Sequence, residues 1–294
     1  MTSQEPRFIS IHTLSNRFEA DLLIGALEHE QIPAFLRSFE ETPYDGLFVS
    51  QRGWGLIMVR EDLADQARRV IQPLIDELRT KKLYDDPSQI DPMLWERLRE
   101  VEPQAICRNG QVRYDAQKEA YIVPFLTSQL ACSPGSETIE DLDSIPHLKL
   151  NFELHLVTLH YLLEAQSLPM AGKWAGEKDI PGGHLFFQGP HKFPLDPLVE
   201  LFGTRPDLFR SASLELGGSP VNMGDLSFRF WALPRIPIIF VLWKGDDEFP
   251  SAMNIRFDEY IIRQLHTLDT ILAMVNVVCR TLRVAGKSIL ANMA

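Results

Sequence analysis

The chain has 294 residues, 45% of them apolar and 23% charged, with a net charge of −11 at pH 7. This is enough apolar material to bury a sizeable core, which excludes a disordered chain, and the length suits two unequal domains. The acidic balance opposes nucleic-acid and anionic-lipid binding over most of the surface, and no Lys/Arg cluster along the sequence offsets it.

Residues 8–12 (FISIH) alternate as a short strand does. Ser15 or Asn16 caps a helix with Phe18, Leu22, Leu23, Ala26 and Leu27 on one face, ending before Ile32-Pro33. Residues 34–37 read as a second strand. A turn-rich loop at 41–46 leads to a hairpin of residues 47–49 and 56–59 around Gln51-Arg52-Gly53. Asp62 caps a last helix that runs to Leu78, with a kink or restart expected at Pro73. The order β-α-β-β-β-α predicts one sheet with two helices on one face, a small ferredoxin-like domain over residues 1–80. The stretches FISIH, SNRFEADLLIGALEHEQIPAFLRS and GLIMVREDLADQARRVI resemble a small prokaryotic signal-transducing family, itself a domain of unknown function. That resemblance implies a sensing or interaction module with a protein partner, and it carries no catalytic residues.

Residues 81–92 (KKLYDDPSQIDP) are polar, hold two prolines and lack an apolar period, as a linker does. Residues 93–294 then read as a larger α+β domain. A short helix at 93–101 precedes paired strands at 112–115 and 121–126. Residues 132–146 look like a solvated acidic loop, because Glu137, Glu140, Asp141 and Asp143 have no compensating lysine. Helices follow at 148–165, 198–203 and 207–216, the last stopped by Gly217-Gly218. Residues 226–232 alternate as a strand. Residues 236–243 are apolar throughout, as a strand buried on both faces is. A long helix or pair of helices closes the chain over 259–282.

Cys107, Cys132 and Cys279 are few and scattered, which points to structural thiols in a reducing, cytoplasmic setting. The polar start MTSQEPRF has no apolar signal core, and no run approaches the roughly 20 apolar residues of a membrane span. Nucleophile elbows, phosphate loops and HExxH pairs are absent, and Gly53-Trp54-Gly55 is only a fragment of a dinucleotide pattern.

Two segments carry chemical potential. Asp246, Asp247 and Glu248 follow directly on the apolar strand ending at Trp243, where ligand-facing loops are common. Desolvated together, such carboxylates would raise one another's pKa and donate or share a proton, or they would hold a hard cation. The alternative is an acidic solvated turn. In the second segment, His184 and His191 flank a glycine-rich stretch and would need a third ligand, with Asp225 the obvious candidate; the alternative is a turn with ordinary histidines. His155 and His160, five apart on one helix, fall on different faces. Arg235, between two prolines, suits a carboxylate or phosphate, or pins a loop. Trp174, Phe186, Phe187, Trp231 and Trp243 line a pocket or belong to plain core.

The ordered set Gly172-Lys173-Trp174, Pro181-Gly182-Gly183, Phe202-Gly203, Gly217-Gly218, Gly224-Asp225, Leu233-Pro234-Arg235-Ile236-Pro237, Leu242-Trp243, residues 245–250 (GDDEFP) and Phe257-Asp258 resembles a family found chiefly in anaerobic bacteria and archaea, known only as a domain of unknown function. Its relatives often carry a cysteine-rich iron–sulfur segment beside this domain; here the small first module stands in that place. The leading expectation is a non-catalytic binding or regulatory protein whose second domain holds a small molecule, metal or protein. The rivals are an enzyme with a carboxylate/histidine pocket and an accessory factor for a metallocofactor in anaerobic metabolism. The sequence specifies no cofactor.

Overall fold

The computed structural model describes residues 7–14, 17–38, 55–80, 87, 90–144, 146–246 and 248–293. The fold is mixed α+β, and the chain divides into two compact units, Met1–Leu83 and Tyr84–Ala294.

The smaller unit holds β1 (Phe8–Leu14), α1 (Arg17–His29), β2 (Ala34–Ser38), β3 (Gly55–Arg60) and α2 (Ala64–Thr80). Its sheet runs in the order β1-β3-β2, with β3 antiparallel to both neighbours. Ala20, Leu23 and Leu27 of α1 meet Ile57 and Val59 of β3 and Ala67 and Ile71 of α2 in one core. Leu22, expected on that face, is exposed, because the buried stripe follows Ala20, Leu23 and Leu27 at helical spacing. Pro73 interrupts nothing: α2 is continuous. Pro73 and Arg69 lie on the exposed side of α2, so water can take the carbonyl that the missing N–H leaves behind. The proposed caps Ser15 and Asn16, the loop 41–46, the strand 47–49 and residues 51–53 lie outside the described residues.

The larger unit begins with α3 (Pro92–Glu100) and α4 (Pro103–Gly110). The side chains of Asp91 and Glu102 cap them, accepting the N–H groups of Met93 and Ala105. A four-stranded antiparallel meander follows: β4 (Arg113–Asp115), β5 (Ala120–Phe125), β6 (Ser128–Ser133) and β7 (Thr138–Asp141). The acidic stretch expected to be a loop thus supplies β7. Ile139 is its buried anchor opposite Cys132, and Glu137 has a cation after all, in Arg99. Next comes α5 (Phe152–Glu164), which starts at Asn151 and not at Leu148, because the Asn151 side chain accepts the N–H of Leu154.

The remaining elements are β8 (Trp174–Ala175), α6 (Gly183–Phe186), α7 (Asp196–Phe202), α8 (Pro206–Glu215), β9 (Ser219–Val221), β10 (Leu226–Leu233), β11 (Ile236–Trp243), β12 (Ala252–Asp258), α9 (Ile261–Gln264) and α10 (Leu268–Met293). The second sheet has the order β8-β12-β11-β10-β9, antiparallel throughout. On its inner face α7 packs against β12 and α8 against β10, and α10 lies against α5, α7 and α8. Phe209 meets Phe228 and Phe193 meets Phe257 at this interface. No described helix is long and apolar enough to cross a membrane.

Candidate functional site

Strand periodicity sorts the five-stranded sheet into two faces. On β10, Phe228 and Phe230 enter the core, while Arg229 and Trp231 take the opposite, outer face. On β12, Met253, Ile255 and Phe257 point inward, and Asn254, Arg256 and Asp258 outward. Between them β11 is apolar on both faces, and its outer Ile239 is only 1% exposed. The register aligns Arg229, Ile239 and Arg256 in one cross-strand row. Further along, Trp231 stands opposite Pro237, and Asp258 opposite Trp174. Trp231 is 40% exposed, a large apolar area to leave in water.

At this end of the outer face a cleft of about 170 Å³ opens. Trp231, Pro234 and Arg235 form one wall, Leu168, Pro169 and Met170 another, and Asp258, Tyr260 and Gln264 the floor and far side, with Gln111 at the rim. Its polar groups are held by backbone. The Asp258 carboxylate, buried, accepts the N–H groups of Ala171 at 3.1 Å, Gly172 at 3.3 Å and Tyr260 at 3.0 Å. The Gln264 amide pairs both ways with the backbone of Gln166. Arg235 donates to the carbonyls of Asn109, Arg108 and Leu168 and to the Ser167 hydroxyl, so it ties the end of α4 to the cleft wall. Its acceptors are carbonyls and a hydroxyl, with no carboxylate among them.

The other sequence-predicted residues lie apart from this cleft. Trp243, at the far end of β11, is 47% exposed. Asp225 is exposed beside it and accepts the N–H of Lys244 at 2.8 Å. Asp246 accepts the N–H groups of Phe249 and Glu248, and those bonds hold its pKa below the usual carboxylate value, opposite to the rise that desolvation would bring. Glu248 is exposed, and Asp247 lies outside the described residues. His184 is exposed on α6, and the His191 ring stacks on Phe186 with centroids 4.5 Å apart. Phe193, two residues beyond His191, packs on Phe257, whereas Gly245, beside Asp246, lies against Ser251, so the histidine and acidic segments lie toward opposite ends of β12. Among the described residues no group of three or more His, Cys, Asp or Glu side chains is placed to hold a metal.

Trp231, Arg235 and Trp174 were candidates from the sequence. Tyr260, Gln264 and Arg256 were missed, although the alternation Met253, Ile255, Phe257 against Asn254, Arg256, Asp258 marks β12 as a two-faced strand. The glycines of the Pro181-Gly182-Gly183 motif have a structural role. Gly182 has φ +78°, and a methyl on Gly183 would overlap the Glu177 carbonyl oxygen.

No curated protein and no solved structure matches the chain. Residues 102–281, which include both walls of the cleft, match the family described as Domain of unknown function (DUF3786), and the chain belongs to that family.

Proposed function

We propose that the larger unit is a non-catalytic binding domain that holds a small molecule in the cleft between Trp231 and Asp258. One observation carries this reading. Two partly exposed rings, Trp231 and Tyr260, line a cleft whose arginine, carboxylate and amide are already fixed by backbone hydrogen bonds. A seat shaped before its ligand arrives loses little conformational freedom on binding. Trp174, in register with Asp258, extends the same sheet face. The separation of the acidic segment from His184 and His191 weighs against a shared carboxylate/histidine pocket.

For the smaller unit, the order β1-α1-β2-β3-α2 with β3 between β1 and β2 supports a ferredoxin-like interaction module over residues 1–80, joined through residues 81–92. Such a module would bring the binding domain to a protein partner.

A thermal-shift screen of the full chain against small polar compounds tests the binding reading. A ligand at about 100 times its Kd stabilises by about 2.7 kcal/mol. Compounds that raise Tm are expected to act on the natural chain and to lose their effect on Trp231→Ala. Equal action on both chains, or no stabilising compound at all, overturns the proposal.

A further inference from the structure

The row Arg229, Ile239, Arg256 lies on the same sheet face as the cleft, one outward-facing position along from Trp231 and Asp258. It gathers positive charge on a chain whose net charge is −11. Arg60, Arg68, Arg99 and Arg280 each pair with a carboxylate. Among the described residues, Arg229 and Arg256 do not, and unlike Arg235 they have no set of carbonyl acceptors in place of a carboxylate. The Arg256 guanidinium makes one hydrogen bond, from Nη1 to the carbonyl of neighbouring Ile255 at 3.3 Å. It stands against Gly176, where a methyl would lie 2.8 Å from Nη1 and 3.4 Å from the Asp179 carboxylate, which accepts the Gly176 N–H and makes no ion pair with Arg256. The Arg229 Nε is buried and has no acceptor among the described residues. A buried donor without a partner is costly, and an arginine takes a carboxylate or phosphate through two parallel N–H groups, which would supply that acceptor. The Arg229 guanidinium also lies over the Trp231 ring, 5.6 Å from its centroid, so cation and ring present themselves together.

We propose that this row, resting on the cleft reading above, binds the negative group of a planar organic anion, a carboxylate or phosphate on an aromatic ring, with the ring laid against Trp231. Two arginines beside one apolar strip suit one small anion. A nucleic-acid strand needs a longer basic track and meets an acidic chain around it.

Calorimetric titration of the full chain with benzoate, phenyl phosphate, benzyl alcohol, inorganic phosphate and a single-stranded oligothymidine tests the assignment. Benzoate and phenyl phosphate are expected to bind at least about tenfold tighter than benzyl alcohol or inorganic phosphate. Arg229→Gln and Arg256→Gln, each with an unchanged Tm, should each weaken both acids by at least about tenfold, and Arg229→Lys should recover only part, because lysine lacks the planar fork. Benzyl alcohol binding as tightly as benzoate, both acids indifferent to both glutamine variants, or oligothymidine binding tightest overturns the proposal. So does failure of every probe. If the compound screen still finds ligands that depend on Trp231, only the anion assignment falls; if it finds none, the cleft reading falls with it.

Discussion

The main-chain N–H of Arg235 donates to the hydroxyl of Tyr161 across 3.0 Å. The same hydroxyl donates to the Gly110 carbonyl at 2.8 Å, so one buried oxygen joins α5, the end of α4 and the turn between β10 and β11. Burial pushes the Tyr161 phenol well above its ordinary pKa, and it stays protonated and able to donate. Tyr161→Phe keeps the ring and deletes the oxygen, which leaves a buried N–H and a buried carbonyl unpaired. The expected loss is about 2–4 kcal/mol, read as a lower urea midpoint at unchanged slope.

Asp258 meets three N–H groups with two oxygens. Asp258→Asn keeps the shape but replaces one acceptor with an amine that faces a donor. The loss should be about 1–3 kcal/mol, concentrated where the residue acts. Amide exchange is expected to speed up at Ala171, Gly172 and Tyr260 and to stay unchanged across β5 and β6. Uniform acceleration through the larger unit would show that Asp258 supports the core as a whole and not the cleft floor.

What could be read from the sequence depended on whether a signal was local. β11 was legible because every residue from Ile236 to Trp243 is apolar, and α8 because Gly217, at φ +75°, stops it. The acidic stretch before Pro146 was misread because a single buried side chain, Ile139, suffices to anchor a short edge strand in which Glu140 faces water and Asp141 accepts the Ser128 hydroxyl. The cleft was hardest. Trp231, Arg235, Asp258 and Gln264 become neighbours only through sheet register and the placement of α9, and sequence distance hides that. Asp246 and Glu248 lie close in sequence, yet on an exposed turn the Asp246 carboxylate takes the N–H groups of Glu248 and Phe249 and Glu248 is left in solvent.

Gly183 offers a test in which local propensity and packing disagree. Alanine is the better helix former by about 1 kcal/mol, and Gly183 is the first residue of α6. A methyl there would nonetheless overlap the Glu177 carbonyl and crowd Phe187 and Ile180. Gly183→Ala is therefore expected to destabilise by roughly 1–3 kcal/mol, seen as a lower Tm. A neutral or raised Tm would mean that the loop before α6 yields without cost.

His155 is buried on α5, and its Nδ1 lies 2.9 Å from the Asn151 carbonyl. Burial lowers its pKa, and the hydrogen bond to Asn151 offsets part of that shift. In the unfolded chain the imidazole titrates near the usual value of about 6.5. Below that pH the unfolded state binds the proton more readily than the folded one. Stability from this residue is therefore complete above about pH 6.5 and declines as pH falls toward the lowered folded value, with a slope of at most about 1.4 kcal/mol per pH unit. His155→Leu removes the titrating group, and the Asn151 carbonyl keeps the His155 main-chain N–H as a partner. Urea midpoints measured from pH 7.5 down to about pH 5 should fall less steeply for the variant than for the natural chain. Identical slopes would show that the buried ring takes up a proton in the folded state as easily as in the unfolded one.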